Sequence, residues 1–313
     1  MRVHADASRP MLTRYDPWVN TLRSTVACFA AAVGDADAIT ITPHDLMIEP
    51  GGSALGRRIA RNTQSVLLLE SNLARVTDIA GGSSYVEVRT DQLADVAWAE
   101  LQRVEGVGGL VAAVEDGSVR AAIAEVSSQR SRAVATRRRP LTGLTEFPNI
   151  AEPPPPPPTI DPTSGSASGT PFEPFTLHRL SDEFERLRGR ADAVAPTGER
   201  PTLYLAAIGG PAASTARATF AKNFFEVAGI RTIEGEVTDF DPSVTTFACL
   251  CSSDPVYEAD GAAAIRALRD AGATTVYVAG RGIDLDGVDD EVGLGTDLLD
   301  TLSRTLDHMG VPS

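Results

Sequence analysis

The feature that most constrains this 313-residue chain is a break in its character between Pro140 and Pro174. Six consecutive prolines, Pro153 to Pro158, are followed by Thr163-Ser-Gly-Ser-Ala-Ser-Gly-Thr170. Polyproline is stiff and extended, a Gly/Ser tract is flexible, and neither supplies a core, so residues 140–175 read as a spacer between two folded parts, 1–139 and 176–313. An SH3-type ligand is the other reading of such a run. The spacer is favoured because the run joins two regions of strong hydrophobic periodicity and lacks flanking basic residues.

Before the spacer the pattern is mostly helical. Asp16-Pro17 offers an N-cap and a first-turn proline, and Trp18, Leu22, Val26, Phe29 and Val33 recur at helical spacing until Gly34. That predicts an amphipathic helix. Further helices are expected over Ser53 to Asn72, from Asp91 through Val104, and from Ser118 to Arg138; short strands are expected at Val3 to Ala7, Ala38 to Thr42 and Tyr85 to Val88. After the spacer, strands and helices alternate. Strands are expected at Leu203 to Ile208, Ile230 to Ile233, Thr246 to Cys251 and Thr275 to Ala279, with helices over 212–228, 258–271 and 295–309. Nearly continuous apolar strands in such an alternation imply a parallel sheet covered by helices on both faces, a small doubly wound α/β unit.

Charge excludes some functions. The formal net charge is −14, and a strongly acidic surface repels phosphate backbones, so no nucleic-acid partner is expected. The basic run Arg130, Arg132, Arg137, Arg138 and Arg139 reads as a solvated helix end. Cys28, Cys249 and Cys251 form no CxxC pair and read as reduced, buried thiols; His4, His44, His178 and His308 show no metal spacing and no obvious partner. The longest apolar stretch, Val26 to Val33, falls well short of the roughly 18 residues of a bilayer span, and the N-terminus lacks a secretory apolar region. A cytoplasmic chain with no membrane partner is expected.

Two loops are the candidates for chemistry. Gly209-Gly-Pro-Ala-Ala-Ser-Thr215 follows a strand and opens a helix, a place that could receive a phosphate, but it lacks the lysine of a phosphate-binding loop and the third glycine of a dinucleotide fingerprint. A plain tight turn is the simpler reading. Asp284, Asp286, Asp289, Asp290 and Glu291 crowd a second loop whose spacing does not match a calcium loop, and a solvated acidic loop is expected. No nucleophile with an activating partner can be read from the sequence.

Three motifs in order narrow the reading. Leu12-Thr-Arg-Tyr-Asp-Pro-Trp-Val-Asn20, Arg58-Ile-Ala-Arg-Asn-Thr-Gln64 and Ala80-Gly-Gly-Ser83 with Tyr85 and Glu87 strongly resemble the methylmalonyl-CoA mutase family. The resemblance covers residues 3–140 and implies an α/β fold built from the C-terminal part of that family's (β/α)8 TIM barrel with its trailing helices. A weaker resemblance over 200–310 implies the family's flavodoxin-like, doubly wound cobalamin-binding domain. Members interconvert methylmalonyl-CoA and succinyl-CoA by radical rearrangement, with adenosylcobalamin supplying the radical.

The departures from the family pattern shape the expectation. Catalytic members carry Asp-x-His-x-x-Gly in the first loop of the cobalamin domain, and its histidine ligates cobalt. Here Gly209, Gly210 and Ser214 stand in that stretch, with no histidine. A glutamine at the active-site mouth corresponds to Asp6, and a His-Thr-Asn corresponds to Thr40-Ile-Thr42. The resemblance therefore implies the C-terminal half of a small, non-catalytic (beta) subunit with no catalytic, cofactor or metal residues of its own. Adenosylcobalamin would be carried by a catalytic large subunit in a heterodimer. A parallel barrel needs eight strands and residues 1–139 offer two or three, so the rest would come from a separately encoded N-terminal barrel half or from sequence upstream of Met1. An independent small-molecule or protein binding module in the C-terminal α/β domain is the alternative.

Overall fold

The computed structural model describes residues 2–73, 75–156, 175, 178–195 and 200–313. They form two units, Met1–Ser131 with Pro156–Arg179, and Arg132–Pro155 with Leu180–Ser313. Both parts are α/β with parallel strands.

The first unit opens with β1 (His4–Asp6), α1 (Val19–Val33), β2 (Ala38–Thr40) and α2 (Ala54–Leu69). β1 and β2 pair in parallel as a two-stranded sheet. α1 starts at Val19, later than Asp16-Pro17, because Asp16 takes φ 44° and the chain enters the helix through a tight turn. Its inward face is small and polar, with Asn20, Ser24 and Cys28 buried, while Trp18, Leu22, Val26 and Phe29 lie outside. Asn20 clamps the entry: its Nδ2 donates to Thr13 O and His44 O at 2.8 Å each, and its Oδ1 accepts from Thr13 N at 3.0 Å. α2 is capped by Ser53, whose Oγ accepts from Gly56 N at 2.9 Å.

The remaining helices of this unit are α3 (Ser84–Gly106), α4 (Leu110–Glu115) and most of α5 (Ser118–Ala135), whose last residues, from Arg132, belong to the second unit. The strand expected at Tyr85 to Val88 is instead the first turn of α3. The local Tyr-Val-Glu-Val pattern has no strand to pair with among the described residues, and Glu87 favours a helix start: it lies in the first turn and its carboxylate accepts from Gly82 N at 3.1 Å. The helix expected from Asp91 is the continuation of the same element. α3 buries none of its residues.

The basic run also departs from expectation. Arg130, Arg132, Arg138 and Arg139 are exposed, but Arg137 is buried, at φ 57° just past α5. Its guanidinium pairs with Glu146 and lies 4.3 Å from the centroid of the Phe220 ring. Arg139 N donates to Ala133 O at 2.8 Å, which closes the helix end.

The second unit holds a five-stranded parallel sheet in the order β4-β3-β5-β6-β7, from β3 (Thr202–Ala207), β4 (Arg231–Glu236), β5 (Phe247–Cys251), β6 (Thr275–Ala279) and β7 (Asp290–Val292). α6 (Asp182–Val194), α7 (Pro211–Glu226) and α10 (Leu298–His308) cover one face through Phe184, Phe224, Phe225, Leu298 and Leu302. The opposite face packs on α8 (Asp254–Val256), which passes through a π turn at Tyr257–Gly261 into α9 (Ala262–Asp270). Strand residues alternate between the two cores, Leu203 and Leu205 on one side, Tyr204 and Ala206 on the other. Val134 and Leu144 belong to the first of these cores. α6 and β7 were not foreseen in the sequence.

Candidate functional site

In an open parallel sheet, ligands are received beyond the carboxyl ends of the strands, where the strand order reverses. That point lies between β3 and β5. Its walls are the loop Ile208–Gly210 before α7 and the loop Ser252–Ser253 before α8.

The walls are drawn together. Gly209 and Gly210 take φ 77° and 76°, and a Cβ on Gly209 would lie 2.9 Å from both methyl carbons of Val256. The glycine is needed because α8 presses on this loop. Ser252 Oγ donates across the crevice to Ile208 O at 2.8 Å, and Ile208 N donates to Cys251 O at 3.3 Å. Arg217 of α7 forms an ion pair with Asp254 of α8, and its guanidinium carbon sits 5.1 Å from the centroid of the Tyr257 ring. Ser214 Oγ and Thr215 Oγ1 turn back into their own helix, to Gly210 O at 3.0 Å and Pro211 O at 2.6 Å.

Tyr257 completes the closure. Its ring is buried, its oxygen accepts from Ser252 N at 2.8 Å, and its hydroxyl proton is shared between Leu250 O at 2.9 Å and Ala279 O at 3.0 Å. One phenol thus ties the ends of β5 and β6. Burial pushes its pKa up from the ordinary tyrosine value. On the other face, Phe225 packs against Phe224 and Tyr277 at 5.2 and 5.3 Å between ring centroids, and the Tyr277 hydroxyl meets Thr305 Oγ1 at 2.8 Å.

The acidic loop is only partly solvated. Asp289 Oδ2 accepts from Val276 N and from Arg269 Nη2, both at 2.6 Å; Asp290 pairs with Arg304 at 3.0 Å; Glu291 accepts from Gly282 N at 2.9 Å and Ile283 N at 2.6 Å. These three carboxylates fix β7 and the turn after β6, while Asp284 and Asp286 remain exposed. No group of three His, Cys, Asp or Glu residues suited to a metal ion occurs among the described residues. The three cysteines are free and buried, and burial raises the Cys249 thiol well above its ordinary pKa. His44 is less isolated than its sequence context suggested, since it is buried and stacks on Trp18 with 4.4 Å between ring centroids.

In the first unit, Asp6 and Thr40 are register partners at the ends of β1 and β2, both exposed, and Thr40 Oγ1 meets His4 Nε2 at 2.8 Å. Alongside β2 lies an open cavity of about 380 Å³, lined by Ile39, Ile41, Arg57, Ala60, Arg61 and Gln64 among others. Arg57 is engaged with the carbonyl oxygens of Gly51 and Gly52.

Residues 1–175 match the family model for methylmalonyl-CoA mutase. Over 99% of its length the chain is 45% identical to the methylmalonyl-CoA mutase small subunit of Streptomyces virginiae, covering 50% of that protein. The chain belongs to the methylmalonyl-CoA mutase family. It is 37% identical to the small subunit of Propionibacterium freudenreichii subsp. shermanii, again over 99% of this chain and 50% of the relative. It is 35% identical to the large subunit from the same organism over 51% of this chain and 22% of the relative. This mutase-family chain therefore spans about half the length of the small subunits it matches.

The family depends on cobalamin, and the residues beyond β3 do not fit it. The loop supplies no imidazole, its hydroxyls are spent on α7, Val256 presses against Gly209, and Arg217 lies over the Tyr257 ring beside it. The Arg217, Asp254 and Tyr257 cluster was not found in the sequence. Its members are brought together by two βα crossovers, and no local spacing marks them. Asn20 ends the first of the three family-like motifs, and its burial shows that it serves the architecture.

Proposed function

We propose that the chain is a non-catalytic subunit, whole or in part, of adenosylcobalamin-dependent methylmalonyl-CoA mutase, which interconverts methylmalonyl-CoA and succinyl-CoA in the assembled enzyme. The observation that carries the reading is the closed crevice between β3 and β5, in a chain whose relatives over nearly its whole length are named small subunits. On this reading the partner is a homologous catalytic large subunit in a heterodimer, and that partner carries adenosylcobalamin. Gly209, Gly210 and Ser214 bind no cofactor, and the chain contributes no catalytic or metal residue.

The finer architecture follows the same reading. Residues 1–139 form the C-terminal part of a TIM barrel with trailing helices; β1-α1-β2-α2 is two successive parallel βα units, as a barrel requires. Residues 176–313 form a degenerate, flavodoxin-like cobalamin-type domain, supported by a strand order equivalent to 2-1-3-4-5. Residues 140–175 join them, and the part up to Pro155 belongs to the second unit, with Leu144 packed in its core rather than serving as plain spacer. The remaining barrel strands come from a separately encoded N-terminal half or a longer polypeptide. No helix of the described residues is long and apolar enough to cross a membrane, and we place the complex in the cytoplasm, without a nucleic-acid partner.

The reading is tested by titrating the purified chain with adenosylcobalamin and hydroxocobalamin while following corrin absorbance and thermal stability. Neither the spectrum nor the melting temperature is expected to change. A saturable shift of the corrin bands with this chain alone would overturn the cofactor-free assignment.

A further inference from the structure

The boundary between the two units falls inside α5, after Ser131, and residues 132–155 already belong to the second unit. Val134 and Leu144 are buried in its larger core, with Leu141 packed against them. Arg137 pairs with Glu146 and lies over the Phe220 ring of α7, and Asn223 Nδ2 of α7 donates to the other Glu146 carboxylate oxygen at 3.2 Å. Further along, Arg188 Nη2 of α6 donates to Asn149 O and Ile150 O at 3.2 Å each. Arg188 is itself buried and fixed. Its Nε donates to Asp192 Oδ1 at 3.2 Å, Arg200 pairs with the same oxygen at 2.6 Å, and a Cβ on Gly229 would lie 2.7 Å from its Cδ. Apolar anchors, an ion pair roofed by an aromatic ring and a buried arginine thus fasten residues 132–150 to α7 and α6.

The Pro/Gly/Ser segment leaves the second unit after these contacts and re-enters it at Leu180. Arg188, which holds Ile150, lies only about 9 Å along α6 from Asp182 at ~1.5 Å per residue, whereas residues 151–181 can reach several times farther at ~3.3 Å per residue. That segment is far longer than the gap between its two ends on α6. We propose that the face formed by α6 and α7 is a docking surface for residues 132–150 of this chain, and that this strap, rather than the Pro/Gly/Ser segment, holds the two halves of the molecule together. The covalent path through residues 156–179 is then dispensable for cohesion. A chain cut there stays one particle, with the first unit retained through its strap.

A protease recognition sequence inserted between Ser166 and Ala167 of the full chain tests the assignment. After cleavage the two pieces are expected to co-elute in size-exclusion chromatography at about 1 μM and to separate only in denaturant. Leu144→Asp places a charge in the core and should weaken the association of the cut pieces by about 100-fold or more. Arg188→Met keeps the side chain's bulk but leaves the Asn149 and Ile150 carbonyls without their donor, and should weaken it by about tenfold. Phe147→Ala, at an exposed position of the same strap, should leave it unchanged. Circular dichroism of the uncut variants checks folding, and Arg188→Met decides if Leu144→Asp fails to fold. Separation of the wild-type pieces in plain buffer would overturn the strap assignment. So would pieces of either folded core or arginine variant that bind as tightly as wild type, since other contacts would then hold the halves together.

Discussion

The two units solve the burial problem differently. Among its described apolar residues the first buries only Leu12, Tyr15, Cys28, Ile41, Ala60 and Ala113, and it leaves Trp18, Leu22, Val26, Leu93, Val96 and Trp98 exposed, with many others. The second packs both faces of a five-stranded sheet, and its large exposed apolar side chains are Phe147, Val244 and Leu294. Many large apolar side chains left in water on a soluble protein are a mark of an interaction surface where they adjoin one another. The second unit packs its own sheet on both faces, and on the subunit reading proposed above the first is a part that a larger assembly would complete.

Several measurements sharpen or break this contrast, beginning with the largest effect. Phe224→Ala should cost about 3–5 kcal/mol in denaturant unfolding, because Phe224 is fully buried against Phe225, and the loss should fall on the second unit's transition. Equal loss in a probe of α3 would show that the units unfold together. Tyr257→Phe should cost about 1–3 kcal/mol by stranding Ser252 N, Leu250 O and Ala279 O; an unchanged unfolding midpoint would show that this phenol does not hold the crevice shut.

Alkaline unfolding gives a third comparison. Burial raises the phenols of Tyr204, Tyr257 and Tyr277, all in the second unit. A raised folded-state pKa means that the contribution is fully present below the unfolded value, roughly 10, and is lost as pH rises from there through the folded values. Stability of the second unit should hold up to that pH and then fall, as read by fluorescence in a pH series. A fall that begins near neutrality would contradict the burial of these hydroxyls. The smallest effect is expected for Val26→Thr on the outward face of α1, within about 0.5 kcal/mol in the isolated chain. A loss of several kcal/mol would mean that this stripe is already covered.

The contrast also explains what was legible in the sequence. β6 was placed residue for residue at Thr275 to Ala279, and β5 nearly so, because a buried parallel strand is a continuous apolar run bounded by turns. α1 was legible as a helix, but its burial was inverted. The Trp18, Leu22, Val26 and Phe29 stripe reads like a core face, and only the fold shows that Asn20, Ser24 and Cys28 face inward. Periodicity reports that a face is apolar and not what covers it. β7 escaped notice because Asp290 and Glu291 carry the signature of a loop, their charges being answered by Arg304 and by backbone amides distant in sequence. The missing histidine in the loop after β3 was visible in the sequence, whereas its closure depends on Arg217, Asp254 and Tyr257, which share no local pattern.

The most direct test of the central claim is to tag the chain in its native cell, purify it gently, and record native mass spectra with the ultraviolet–visible spectrum of the same sample. The expected result is recovery with a larger, corrin-carrying mutase subunit, together with polypeptide that supplies the rest of the barrel. A lone, well-folded and colourless species of 32.9 kDa would contradict it.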